Sequence, residues 1–250
     1  MDLNDYLAVI SSESTLLASA ADEAGLDAPV PTCPGWTIND LVLHMGEVHR
    51  WATAAVASKA AKLGDVPGDS LGELPEPAAA TDWLRRGVAT LCETLEAGDP
   101  DFEYAAFLTD PASPRLLFWA RRQALETTVH RADAESALGR CTPLAHDIAL
   151  DGIDEFLTGF LPRSRTPLRA DSPHCLQVAP DYSEQRWTVS ISNEMPVTER
   201  RAADADCVVS GPASDIYLAL WNRGSMDGLK IEGNPAAIDM LRENVRVRWG

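Results

Sequence analysis

The stretch DLVLHMGEVHRWA, residues 40–52, places a histidine where an apolar side chain belongs. Leu41, Val48, Trp51 and Ala55 recur around His44 at the spacing of one helical face, so the pattern points His44 inward. A buried imidazole requires a hydrogen-bond partner, a metal ion or a chemical task. The start of this helix is marked by Thr37 and Asp40, which stand in the relation of a capping box. The pattern predicts that it runs to about Leu63.

A second stretch supplies possible partners. SPRLLFWARRQALETTVHRADAESALG, residues 113–139, predicts a helix from Pro114 to Leu138, with proline in its first turn and Gly139 as its stop. Glu126 and His130 lie four apart, one turn along one face, which also carries Trp119, Arg122, Asp133 and Ala137. A carboxylate and an imidazole so spaced can hold one divalent cation, and His44 is the inward-facing candidate for a third ligand. Two histidines and a glutamate with one open position is the catalytic pattern of zinc, whereas structural zinc sites are closed by four ligands. The same set accepts nickel, cobalt or iron.

Other readings of these residues stand beside that one. Glu126 can instead pair with Arg122, its i−4 neighbour. Asp133 and Asp40 are candidates to orient the imidazoles or are ordinary carboxylates, with capping favoured for Asp40. HMGEVH matches neither HExxH nor HxxEH, so His49 is expected at the surface or the helix edge. His146 and His174 have no partnered spacing and are read as structural. Trp36 and Trp51 are read as packing residues, and Cys33 as a thiol packed behind the helix start.

Around these stretches the chain changes texture once. Leu3, Leu7, Ile10 and Leu17 mark a first helix over 3–22, followed by the turn-rich GLDAPVPTCPGW; Leu84, Val88, Leu91 and Leu95 mark another helix. Four long helices joined by loops predict an antiparallel bundle over residues 1–140. From 145 to 250, a short helix in HDIALDGIDEFLTGFL precedes strand-like HCLQVAP, RWTVSISN, CVVSG and LKIEG. Helical PASDIYLALWN and PAAIDMLREN are interleaved with them. This predicts a small α+β domain, making the whole a two-domain α+β chain, with LPRSRTPLRADSP as a linker or exposed loop.

Composition narrows the function. The 250 residues suffice for a sizeable core, and 45% hydrophobic with 24% charged residues is ordinary for a globular protein. A net charge of −17 repels polyanions and argues against nucleic acid. No apolar run is long enough for a membrane span, and the acidic N-terminus is unlike a secretory signal, which predicts a cytoplasmic protein. Five scattered cysteines without a CxxC pair argue against a disulfide framework or a cysteine-rich zinc site.

Taken together, VPTCPGWTINDLVLHMGEVHRWA (30–52) and RRQALETTVHRADAESALG (121–139) resemble the signature segments of the mycothiol-dependent maleylpyruvate isomerase family. The likeness lies in the P-T-C-P-G-W turn with its following histidine and in the E-x-x-x-H-R-x-D run. The resemblance implies a DinB-like metal-binding four-helix bundle followed by a sterol-carrier-like C-terminal domain. It implies zinc on His44, Glu126 and His130, and mycothiol as cosubstrate beside a small organic substrate. Such a centre would activate the thiol for cis–trans isomerisation of a maleylpyruvate-like compound. A mycothiol S-transferase would use the same site. A third reading, of a different class, is a non-catalytic small-molecule-binding protein whose metal is structural or absent. For an anionic substrate, Arg122 on the metal face and Arg223 in LALWNRGSMDG are the candidate binders, with surface or helix-end ion pairs as the alternative.

Overall fold

A computed structural model describes residues 1–69 and 71–245. The chain divides into two compact units, one of Met1–Phe107 with Pro111–Thr142, the other of Leu108–Asp110 with Pro143–Gly250. Residues 246–250, the end of the expected second domain, lie outside the described residues. Among the described residues no helix is long and apolar enough to cross a membrane.

The first unit is a bundle of α1 (Leu3–Ala24), α2 (Ile38–Ala57), α3 (Ala80–Glu96) and α4 (Arg115–Ser136). Helix α1 packs on α3 and α4, and α2 packs on the same two, so α1 lies diagonally opposite α2, and α3 opposite α4. Both α1 and α2 begin with a complete capping box, Asp2 with Asp5 and Thr37 with Asp40. Helix α2 stops six residues before the expected Leu63. Lys59 turns to a positive φ of 50°, and the Ala60 amide closes back onto the Ala55 carbonyl. The terminating residue is a lysine rather than a glycine, so composition gave no stop signal there.

Helix α4 departs from simple amphipathicity. Every residue from Phe118 to Glu135 is buried, although many are charged. Buried charges persist only when paired, and here they are. Arg131 reaches Glu13 at 2.8 Å, Glu135 at 2.7 Å and the Thr142 carbonyl at 2.7 Å.

The second unit carries α5 (His146–Glu155), extended by a π-helical turn to Phe160, and a five-stranded sheet. Its strands are β1 (His174–Pro180), β2 (Trp187–Ile191), β3 (Val197–Glu199), β4 (Cys207–Gly211) and β5 (Lys230–Gly233), in the order β3-β2-β1-β4-β5. Only β1 and β4 run parallel; the other pairs are antiparallel. Helices α6 (Ala213–Leu220) and α7 (Ala236–Asn244) complete it. The short edge strand β3 gave no sequence signal, because three largely exposed residues show no alternation. The stretch 161–173 is a loop inside this unit rather than a linker between units, with Leu161 and Leu168 fully buried.

Candidate metal centre

Helices α2 and α4 pack against each other, which brings His44 to Glu126 and His130. The capping box fixes the start of α2, and His44 follows two helical turns later on the inward face. Single donor atoms of the three residues lie within 4.8 Å of one another. Glu126 Oε1 is 3.2 Å from His130 Nε2 and 3.7 Å from His44 Nε2. The Glu126 and His130 side chains retain 4% of their surface, while His44 retains 15%.

The glutamate divides its two oxygens. Oε2 accepts from Arg122 Nη2 at 2.6 Å, leaving Oε1 to the histidines. Ion pairing with Arg122 and convergence on the histidines are therefore compatible, one on each oxygen. Burial pushes the Glu126 carboxyl up, but the Arg122 charge and the His130 contact outweigh it and hold it well below the usual carboxylate range. Arg122 itself, offered by the sequence as a substrate-anion binder, is 1% exposed and engaged with Glu126. Its charge neutralises a buried carboxylate.

The residues present fit a divalent cation. His44 Nε2 is buried and makes no hydrogen bond, and 3.7 Å is too long for one. Metal–ligand bonds of about 2.1 Å in tetrahedral array separate neighbouring ligand atoms by roughly 3.4 Å, between the two distances found. A carboxylate oxygen and two imidazole nitrogens are also the donors that zinc and its neighbours select.

Around these three stands a support built from the turn before α2. Asp133 Oδ2 accepts from His130 Nδ1 at 2.9 Å, which turns the ring so that Nε2 faces Glu126. Thr32 donates to Asp133 Oδ1 at 2.5 Å. Burial pushes His130 down, but Asp133 and Glu126 reverse this and raise it to about 9. Asp40 does not join this support; its side chain caps α2 through Thr37.

Trp36 and Cys33 are placed otherwise than expected. The half-buried Trp36 ring lies 5.0 Å edge-on to His44 and 6.4 Å from His130, nearly parallel to it. It walls the candidate centre rather than the general core. Trp51 does pack among aromatics, with Phe107 and Trp119. Cys33, read as a packing thiol, forms a second close group with His130 and Asp133. The signal available for Thr32, Cys33 and Trp36 was their common place in the turn just before α2.

His49 corrects a second expectation. It is fully buried, not at the surface or edge. Thr127 Oγ1 donates to the Gln123 carbonyl at 2.7 Å, so it accepts from His49 Nε2–H at 3.0 Å. That leaves Nδ1 as a buried acceptor without a partner. Burial, above all, lowers His49 to about 3 and keeps the ring neutral.

His146 is exposed at the start of α5, and His174 begins β1 with Ser172 3.4 Å away. Arg223 is half-buried in the second unit beyond α6, where Nη1 donates to the Trp221 carbonyl at 2.9 Å.

The chain matches the model of the mycothiol maleylpyruvate isomerase N-terminal domain over residues 7–135. It matches the model of the MDMPI C-terminal domain over residues 147–239. No curated protein matches it significantly. Two solved structures share its fold: mycothiol-dependent maleylpyruvate isomerase and a histidine-to-alanine mutant of that enzyme. Each superposes with a TM-score of 0.62 at 16% identity, covering 93% of this chain and 93% of that one. With its two domain models in order along the sequence, and the first spanning just over half of it, the chain belongs to the mycothiol maleylpyruvate isomerase family.

Proposed function

We propose that this chain is a metal-dependent enzyme that uses mycothiol to isomerise a maleylpyruvate-like substrate from cis to trans. The observation that carries the reading is the buried, unpartnered His44 Nε2, which shares Glu126 Oε1 with His130. His44, Glu126 and His130 would hold the ion, zinc by preference. When bound there, the metal supplies an open position at which a thiol loses its proton near neutral pH.

The chain's own residues set up that position. Arg122 holds Glu126 ionised and fixes its Oε2, so that Oε1 alone turns toward the histidines. Asp133 fixes the ring of His130, and Thr32 fixes Asp133. Trp36 covers both imidazoles and keeps water from part of the site. Addition of a thiolate to the cis double bond makes the former alkene a single bond. Rotation and elimination then return the thiolate and the trans isomer. With Arg122 committed to Glu126, Arg223 is the arginine proposed for a substrate carboxylate.

The test is metal content by mass spectrometry on the purified chain and on His44→Ala, followed by an assay of maleylpyruvate with and without mycothiol. About one metal per chain, lost in the variant, with thiol-dependent formation of fumarylpyruvate, is the expected result. A product that keeps the thiol covalently attached would assign S-transfer instead. No metal after zinc is supplied would overturn the reading.

A further inference from the structure

Helices α2 and α3 enclose a basic cleft on a different side of α2 from His44. We propose that this cleft binds a small dianionic oxyanion, of the phosphate or dicarboxylate class, between Arg50 and Arg86.

Arg50 is held in one place. Its guanidinium lies 3.5 Å from the centroid of the Trp83 ring, and Nη1 and Nη2 donate to the Gly46 and Trp83 carbonyls at 3.0 and 2.9 Å. Five N–H groups are present on a guanidinium, so these two bonds fix its plane and leave donors for a ligand. The space it occupies exists because residue 87 is glycine: a Cβ there would fall 2.6 Å from Arg50 Nη1.

Arg86 stands beside it on α3, and both line a cleft of about 420 Å³ with the loop residues Pro67 and Leu71. Burial first, and then the charge of Arg86, lower the pKa of Arg50. The other charged side chain of the lining is Asp69, and neither arginine forms an ion pair with it or with another described carboxylate.

With a net charge of −17, carboxylates are in excess, and Arg85, Arg115, Arg131, Arg140, Arg200 and Arg201 each pair with one, whereas Arg50 and Arg86 share one cleft with neither so paired among the described residues. Two neighbouring guanidiniums repel each other unless an anion lies between them. Their planar forks match the oxygens of a carboxylate or phosphate. The overall negative charge disfavours extended polyanions and leaves small ones as the class that fits.

The experiment titrates the full-length protein with sodium phosphate, and separately with sodium succinate, at constant ionic strength set by sodium chloride. Calorimetry and thermal unfolding are read for wild type, Arg86→Gln and Gly87→Ala. Arg86 is exposed, so its replacement leaves the fold intact. Gly87→Ala keeps both charges but displaces the Arg50 guanidinium, and alanine suits a helix better than glycine. Saturable binding by wild type, weakened at least tenfold in both variants with metal content unchanged, is expected. Phosphate or succinate, whichever saturates, then names the class. Absence of saturable binding of either, or equal binding in all three proteins, would overturn the proposal.

Discussion

Thr32, in the turn before α2, and Asp133, in the last turn of α4, are joined by a 2.5 Å hydrogen bond across 101 residues of sequence. The other oxygen of the same carboxylate holds His130 Nδ1 at 2.9 Å. The turn therefore does more than redirect the chain. It sets a buried carboxylate that in turn sets an imidazole of the candidate metal centre.

From that chain of contacts follows a graded loss of metal. Asp133→Asn should weaken metal affinity by about 10- to 100-fold, the usual cost of losing a carboxylate that orients a ligating histidine. Thr32→Val should weaken it less, since Asp133 keeps its bond to His130. Competition with a chelator of known affinity measures both. Wild-type affinity in Asp133→Asn would remove Asp133 from the centre.

The Trp36 ring gives the site an optical reporter. Cobalt bound by His44, Glu126 and His130 should quench emission from an indole lying 5.0 Å from the His44 ring. The quenching should fall markedly in Trp36→Phe, while cobalt still binds. Undiminished quenching in that variant would place the ion near another tryptophan.

His49 should make the fold acid-sensitive. It is neutral and buried in the native state with a pKa of about 3, against an ordinary value of 6.5. Below pH 6.5 the unfolded chain takes up a proton that the native chain refuses. Its contribution is thus complete above pH 6.5 and is lost as the pH falls toward 3. Glu126, Arg50, His130 and His44 all bear on this ring, with Glu126 favouring the proton and the others opposing it. Between pH 7 and pH 5, wild type should lose about 2 kcal/mol more stability than His49→Gln, which does not titrate. Urea unfolding in the presence of a chelator at both pH values measures the difference. Equal losses would show that His49 is reached by solvent.

At Gly46, α2 packs directly against the Trp83 ring of α3. A Cβ at this position would fall 1.9 Å from Cζ3 of Trp83, in the ring that also carries Arg50. Gly46→Ala should destabilise the first unit by about 3 kcal/mol, at the upper end for overpacked cores. Chemical unfolding is the measurement, and a loss below about 1 kcal/mol would show that the ring moves aside without strain.

Much of the candidate centre was legible because it rests on local regularities. Thr37 and Asp40 announce the start of α2 through hydrogen bonds within four residues, and helical period alone turns His44 inward. Glu126 and His130 share a face by their spacing, and β1 follows HCLQVAP residue for residue. The end of α2 was not legible, because Lys59 carries no compositional stop signal, nor was β3, too short to show a period.

By itself, then, the sequence determined the two-part α+β organisation, the start of α2 and the faces that His44, Glu126 and His130 present. Only the tertiary structure decided what those faces meet. It buried His49 against Thr127, stood Trp36 against both imidazoles and brought Cys33 beside His130 and Asp133. It also gave Glu126 two neighbours at once, Arg122 on one oxygen and the histidines on the other. The physical reason is that periodicity reports which way a side chain points along its own element. Burial, pairing and convergence belong to the element packed against it, and in this bundle that element is distant in sequence.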